Sequence, residues 1–264
     1  MPGSAYRRYV TAARGLARRA QSRAWAASPA RMDAEAQAYW DGGAGTRFSG
    51  DSHWKSGAPF RDGDLWERMG REHVALYERL RAASAHEPAK VRHIIDWGCG
   101  GGANAVTFAP LGERLTGVDV SRASLDECAR QMAALAPGVP FRPVLADISR
   151  PEQVAREAGP CELVICLYVL ELVPSKEYGL RLMRVFRDLL VPGGQVLAQV
   201  KYATGSWRTA SRRRSYRSDV AGVTYRVDEF WTAAEGLGLR PEAVTLVPRN
   251  ELDERYAYFL LTRP

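Results

Sequence analysis

The chain has 264 residues, of which 46% are hydrophobic and 25% charged, a composition typical of a globular protein with a buried core of its own. This length fits one α/β domain with an extension, or two small domains. The formal net charge of +7 equals the seven arginines of residues 1–32, which contain no acidic residue, so the balanced remainder argues against a general nucleic-acid binder.

The cysteines and the hydropathy exclude further classes. Cys99, Cys128, Cys161 and Cys166 have neither C-x-x-C spacing nor a His-rich neighbourhood, so no metal site is predicted. Scattered free thiols fit a reducing compartment, and we predict a cytoplasmic protein. The sequence has no run of about 18 apolar residues that would cross a membrane, so no integral membrane contact is expected.

The first predicted element is a basic amphipathic helix from Ser4 to about Ala27, inside an extension of residues 1–32. Its apolar residues recur at three- and four-residue steps and fall on one face, opposite the arginines. We expect this face to pack on the chain's own domain or on a second copy, which would give a homodimer. The alternatives are docking on an anionic membrane surface, on RNA or on an acidic carrier protein, and a transit peptide.

Residues 33–88 are predicted to form an aromatic-rich lid segment followed by a helix. The segment Trp40–Gly45 is Gly-rich and loop-like, and it leads to His53, Trp54 and further aromatic side chains in irregular sequence. The helix should run from Asp64, its N-cap, to about Ala83, because apolar side chains there recur as one stripe.

Residues 89–264 alternate strands with helices, which predicts a doubly wound α/β domain with a mostly parallel sheet. Helices are predicted after Ser121 as N-cap, from about Lys176 to Leu190, and from about Val227 to Leu237. A turn at Pro192-Gly193-Gly194 should separate the second of these from the next strand. The predicted strands are Val91–Asp96, Leu115–Val120, Phe141–Leu145, Glu162–Tyr168, Gln195–Lys201, Glu242–Val247 and Tyr256–Thr262.

A Gly-rich turn from Asp96 to Ala103 joins the first strand to the next helix, at the strand end where open α/β sheets bind ligands. Glycines let the backbone turn sharply and approach a ligand closely. Asp119 closes the second strand 21 residues after Gly98, where a carboxylate can accept hydrogen bonds from two ribose hydroxyls. Because Gly98, Gly100 and Ala103 also satisfy G-x-G-x-x-G/A, a nicotinamide dinucleotide stays open at this point.

From Val91 to the C-terminus the sequence resembles the class I S-adenosylmethionine-dependent methyltransferases, and five motifs in chain order carry the resemblance. They are Asp96 with Gly98-x-Gly100-x-Gly102, then Gly117–Ser121, Ala146–Ile148, Leu163–Leu170 and Leu189–Leu197. The resemblance implies a seven-stranded sheet whose last strand is antiparallel, with S-adenosylmethionine as cofactor.

The same resemblance implies roles for individual residues. Asp96 and the glycines would lie at the methionine part of the cofactor, Asp119 at the ribose and Asp147 at the adenine amino group. The implied cofactor-binding residues are Asp96, Gly98, Cys99, Gly100, Gly102, Asp119, Val120, Asp147, Ile148 and Leu167. A physical argument agrees: a cationic sulfonium favours a nearby carboxylate such as Asp96, whereas the phosphates of a dinucleotide do not.

The expected reaction is in-line displacement at the sulfonium methyl, in which the protein supplies alignment and a dry pocket. A general base is needed only where the acceptor must lose a proton. The candidates are His53, Tyr168, Glu171 and Tyr202, which the fold should bring near the strand ends.

A small-molecule acceptor of specialised metabolism is the preferred hypothesis. The resemblance to amino-directed nucleic-acid methyltransferases fails after the fourth strand, where Cys166–Val169 has no proline pair, so nucleic acid is disfavoured as substrate. The alternatives are a methyltransferase of RNA or a peptide recruited by the basic helix, an NAD-dependent oxidoreductase and a non-catalytic binding module. The arginine-rich loop Lys201–Arg217 would cover the acceptor.

Overall fold

The structure is a computed structural model that describes residues 28–42, 52–57, 60–85, 89–211, 216, 222–251 and 253–264. The predicted basic helix Ser4–Ala27 lies outside the described residues, and so does most of the arginine-rich segment 212–221.

A seven-stranded sheet forms the centre of the fold, in the order β3-β2-β1-β4-β5-β7-β6. The last strand, β7, is antiparallel to both of its neighbours, whereas the other neighbouring pairs are parallel. The predicted fold class is therefore confirmed. The strands are β1 (His93–Trp97), β2 (Arg114–Asp119), β3 (Phe141–Leu145), β4 (Cys161–Cys166), β5 (Leu190–Lys201), β6 (Arg240–Arg249) and β7 (Glu254–Thr262).

The strand β5 begins five residues before its predicted start. Leu190 already pairs with Cys161 of β4, and the register shifts before Leu163 pairs with Gln195. The predicted Pro-Gly-Gly turn is therefore an irregularity inside the strand, with Gly193 at φ +77°.

Helices cover both faces of the sheet. They are α1 (Pro29–Trp40), α2 (Leu65–Ala82), α3 (Ala103–Phe108), α4 (Arg122–Leu135), α5 (Gln153–Ala158), α6 (Lys176–Leu189) and α7 (Val227–Gly236). Ser121 caps α4 as predicted, since its Oγ accepts a hydrogen bond of 3.3 Å from the Ser124 N–H. Asp64 occupies the N-cap position of α2, but its side chain makes no capping hydrogen bond.

Helix α1 is an element that the sequence analysis missed. Ser28 caps it by accepting a 3.3 Å hydrogen bond from the Arg31 N–H, and Pro29 takes the first helical position, where a missing N–H is harmless. Its residues Met32, Ala36 and Trp40 pack with Ile148 and Tyr216 in a small cluster of their own. The helix thus docks on the chain just after β3.

Alternating residues of the central strands divide the core between the two faces of the sheet. Ile95 and Val164 face one cluster with α6 and α7, whereas Ile94 and Leu163 face a second cluster with α2, α3 and α4. Strands β1 and β4 are buried along their whole length, as expected of parallel strands covered on both faces. In the described part of the chain, no helix combines the length and apolar character that crossing a bilayer requires.

Candidate cofactor site

A cavity lies at the carboxyl ends of β1, β2 and β3. This is the edge where open α/β sheets bind ligands, next to the point where the strand order reverses between β1 and β4. One end is formed by loop backbone and a carboxylate, and the rest by apolar and aromatic side chains. The lining includes Gly98, Gly100, Asp119, Val120, Ala146, Ile148, Val169, Leu172, Tyr178, Trp40 and Tyr216.

The Gly-rich turn after β1 depends on glycine for both conformation and space. Gly98 and Gly100 have φ values of +76° and +50°, in the left-handed region. A Cβ on Gly100 would lie only 2.4 Å from the Ser52 carbonyl oxygen. That same carbonyl accepts a 2.8 Å hydrogen bond from the Gly101 N–H, so the short segment 52–54 lies directly on the turn.

Asp119 connects the turn to the end of β2. Its Oδ2 accepts a hydrogen bond from the Gly100 N–H and its Oδ1 one from the Ser121 N–H, both of 2.9 Å. Loss of surrounding water raises the pKa of Asp119, and the N–H groups of Ser121 and Gly100 oppose that rise. Because Asp119 lines the cavity and each carboxylate oxygen can accept a second hydrogen bond, the two oxygens can still accept from two ribose hydroxyls.

Asp96 is the most unusual charged group of the site. It is the fourth of the five residues of β1, it is only 2% exposed, and its Oδ2 is buried without a hydrogen-bond partner. Desolvation, and next the nearby Asp119 carboxylate, raise the pKa of Asp96 to about 8. A buried carboxylate without a partner is unfavourable, and a cation bound beside it would remove that cost. The residues present therefore fit a cofactor that is cationic next to its ribose, such as S-adenosylmethionine.

The cavity wall contains five of the ten predicted cofactor residues, namely Gly98, Gly100, Asp119, Val120 and Ile148. Asp96, Cys99 and Leu167 are buried and do not line the cavity, and Gly102 occupies the N-cap position of α3.

Asp147 does not line the cavity, although its neighbours Ala146 and Ile148 do. Its side chain is 37% exposed and accepts hydrogen bonds from the Ser149 N–H, at 2.8 Å, and from Arg150 Nη2, at 2.9 Å. The Ser149 hydroxyl also donates a 2.7 Å hydrogen bond to Asp147 Oδ1, and this bond is the main reason why the pKa of Asp147 is lowered. Ile148, rather than Asp147, therefore faces the place where adenine is expected.

None of the candidate bases lines the cavity, and three of them, His53, Tyr168 and Glu171, are connected through the rings of Tyr168 and Tyr256. The His53 and Tyr168 rings meet edge to face with centroids 4.7 Å apart. Glu171 is buried, its Oε1 accepts a 2.8 Å hydrogen bond from the Tyr256 hydroxyl, and burial raises its pKa. The Tyr256 ring also lies 5.5 Å from that of Tyr168. Tyr202 makes a β-bridge with Tyr225 at the end of β5.

Helix α1 and Tyr216 are parts of the site that the sequence analysis did not find. Trp40 Nε1 donates a 2.5 Å hydrogen bond to the Tyr216 hydroxyl, and both side chains line the cavity. Gln37 Oε1 accepts a 3.1 Å hydrogen bond from the Ile148 N–H. The Ser-Pro pair before α1 was a signal for the start of a helix, but no local pattern connects Trp40 to Tyr216.

Comparison with known proteins supports the interpretation of the site. Residues 94–194 match the profile of a family described as "Methyltransferase domain". The ubiquinone biosynthesis O-methyltransferase of Chromobacterium violaceum is 32% identical over 137 residues, which cover 50% of this chain and 55% of that protein. The ubiquinone biosynthesis O-methyltransferase of Ralstonia nicotianae is 25% identical over 212 residues, which cover 73% of this chain and 83% of that protein. The chain thus spans about half the length of the first of these relatives.

Two solved structures are similar in fold over most of both chains. The 1,6-didemethyltoxoflavin-N1-methyltransferase of Burkholderia thailandensis, with bound S-adenosylhomocysteine, has a TM-score of 0.61 at 16% identity and coverage of 90% and 91%. The magnesium protoporphyrin IX methyltransferase of Synechocystis, with bound S-adenosylmethionine, has a TM-score of 0.59 at 15% identity and coverage of 88% and 97%.

The sheet order, the glycine turn and the strand-end carboxylates define the class I S-adenosylmethionine-dependent methyltransferase fold. Within it, residues 94–194 match the family described as a methyltransferase domain. The resemblance found in the sequence is thereby confirmed.

Proposed function

We propose that this protein transfers a methyl group from S-adenosylmethionine to a hydroxyl group of a small-molecule acceptor of specialised metabolism. The observation that carries the proposal is the buried carboxylate of Asp96, which has an unpartnered oxygen and lies beside Asp119 at a cavity of the methyltransferase domain. Such a site is stabilised most by a ligand that brings a cation and ribose hydroxyls together.

The bound cofactor would supply an activated methyl group on a sulfonium. The chain's own residues would hold it in three ways. Asp96 would balance its positive charge, Asp119 would accept from its ribose hydroxyls, and the backbone at Gly98 and Gly100 would allow close approach. The apolar remainder of the cavity would exclude water and align the reactants.

Two observations favour a hydroxyl acceptor. Relatives at 31–32% identity are named O-methyltransferases, although the match covers only part of their length. A hydroxyl must also lose a proton, and two buried carboxylate–phenol pairs lie one residue along the chain from Val169 and Leu172 of the cavity wall: Asp253 with Tyr168 at 2.6 Å and Glu171 with Tyr256 at 2.8 Å. The buried free cysteines further fit the cytoplasm as the compartment.

The test is transfer of a labelled methyl group from S-adenosylmethionine to panels of phenols and catechols, of amines, and of RNA and peptides. We expect label in the hydroxyl panel and loss of that transfer in Asp119→Ala. Label in RNA or peptide alone would overturn the small-molecule proposal and favour recruitment of a macromolecule. Label in the amines alone would overturn the choice of oxygen as the methylated atom.

A further inference from the structure

Tyr168 has a backbone conformation that a bulky residue rarely adopts. It is the second residue after β4 and has a φ of +57°, in the left-handed region. Such conformations persist only where surrounding contacts hold them, and they concentrate at functional sites. The contacts around Tyr168 therefore indicate what its conformation is for.

A closed circuit of hydrogen bonds holds Tyr168 at both ends. Its hydroxyl donates to Asp253 Oδ1 at 2.6 Å, and the Tyr258 hydroxyl donates to Asp253 Oδ2, also at 2.6 Å. Gln199 Nε2 donates to the Tyr258 hydroxyl at 2.7 Å, and Gln199 Oε1 accepts from the Tyr168 backbone N–H at 2.5 Å. The circuit thus runs from the phenol of Tyr168 back to its own main chain.

Asp253 is the junction of this circuit. It is 5% exposed, it lies in the turn between β6 and β7, and each of its carboxylate oxygens accepts from one phenol. A carboxylate is suited to this place because it only accepts hydrogen bonds, whereas an amide of the same size would direct N–H bonds at one of the two phenols. The charge-assisted bonds are also stronger than neutral ones.

The residue after Tyr168 forms part of the cavity wall. Val169 lines the cavity, and its Cγ2 lies so close to Gly98 that a Cβ there would be 2.3 Å away. The φ and ψ angles of Tyr168 determine where Val169 lies, and Val169 in turn packs on the glycine turn. The circuit that holds Tyr168 therefore reaches the cofactor cavity through one peptide unit.

We propose that Asp253 is a positioning residue of the cofactor site, which acts through the Tyr168 hydroxyl to hold Val169 against Gly98. The cofactor named in the test rests on the proposed function. Asp253 itself does not line that cavity, so an effect on cofactor affinity has to pass through Tyr168.

A double-mutant cycle tests the proposal with affinity for S-adenosylhomocysteine, measured by calorimetry, as the readout. We expect Asp253→Asn and Tyr168→Phe each to weaken binding about tenfold, which corresponds to about 1.4 kcal/mol. The double variant should bind no more weakly than Asp253→Asn alone, because both changes remove the contact between Asp253 and the Tyr168 hydroxyl. Glu251→Gln is the matched control, an exposed carboxylate of the same turn, and should bind as the wild type does.

The melting temperature of each variant separates positioning from general destabilisation. Tyr168→Phe keeps the ring packing, so it should remain folded and still show the loss of affinity. In a Tyr168→Gly background, where positive φ needs no support, Asp253→Asn should have no effect on affinity. Unchanged affinity in Asp253→Asn and Tyr168→Phe would overturn this proposal without affecting the proposed function. So would a double variant in which the two losses of affinity add in full. A wild-type protein that does not bind S-adenosylhomocysteine would overturn the proposed function as well.

Discussion

At the residue scale, Asp96 makes the stability of the ligand-free protein depend on pH. Its pKa is raised from 3.8 to about 8, so the folded state holds a proton that the unfolded state releases. The contribution of this proton to the free energy of unfolding is fully present below about pH 4. It is lost as the pH rises towards 8, by at most about 1.4 kcal/mol per pH unit.

Asp96→Asn removes this titration while keeping the size of the side chain. We therefore expect the melting temperature of the variant, relative to wild type, to increase steadily between pH 5 and pH 8. Scanning calorimetry at several pH values gives the difference, in which the titration of other groups cancels. A difference that does not change with pH would mean that Asp96 is not held neutral in the ligand-free protein.

Gly100 tests the geometry of the turn. Gly100→Ala places a Cβ against the Ser52 carbonyl at a positive φ, so we expect destabilisation of about 1–3 kcal/mol and loss of cofactor binding. Gly138 is the matched control, because a Cβ there meets nothing within 4 Å. Gly138→Ala should be neutral or stabilise by less than about 1 kcal/mol. Chemical denaturation measures both values, and equal values for the two would contradict the geometry described for the turn.

At the element scale, α1 acts as a wall of the cofactor cavity. Trp40 lines the cavity and bonds to Tyr216, and the Tyr216 N–H donates a 3.0 Å hydrogen bond to Glu35 Oε2, so helix and loop hold each other. We expect Trp40→Ala to raise the dissociation rate of S-adenosylhomocysteine about tenfold, since truncation of a buried aromatic side chain costs more than 1 kcal/mol. Stopped-flow fluorescence measures this rate.

Trp40→Phe is the control for this experiment, because it keeps much of the apolar contact and removes the five-membered ring that carries the N–H donor. It should change the dissociation rate less than Trp40→Ala does. If both variants release the ligand at the wild-type rate, α1 is not part of the binding site.

The elements that the sequence predicted well are those with a strong local signal. Strand β3 was predicted with the bounds observed, Phe141–Leu145, and α6 with an error of one residue, Leu189 instead of Leu190. Helix α1 was missed because Met32, Ala36 and Trp40 form only a narrow apolar stripe among polar residues. Its partners, Ile148 and Tyr216, are far away in sequence.

The candidate site divides in the same way. The glycine turn and Asp119 follow from a short pattern within one β-α-β unit, so the sequence alone identifies them. The circuit around Tyr168 joins residues 31 and 85 positions apart, Gln199 and Asp253, and pairing of strands β4, β5 and β7 brings them together. Such contacts leave no spacing signal in one sequence.

At the scale of the whole molecule, helix α2 shares a core with the sheet. Its buried residues, including Trp66 and Tyr77, belong to the same cluster as Ile94 and Leu163 of the central strands. The division into residues 1–32, 33–88 and 89–264 stays a proposal based on the sequence. A homodimer through the N-terminal helix is likewise a proposal based on the sequence. The charge of residues 1–32 lies mostly outside the described residues.

The central claim is that this chain binds S-adenosylmethionine in the cavity between the glycine turn and Asp119. Calorimetric titration of the full chain with S-adenosylmethionine and with NAD, for wild type and Asp119→Ala, tests it most directly. We expect saturable binding of S-adenosylmethionine that weakens about tenfold to a hundredfold in the variant, as loss of hydrogen bonds to a charged group predicts, and no binding of NAD. Preferential binding of NAD, or equal affinity of wild type and variant for S-adenosylmethionine, would contradict the account.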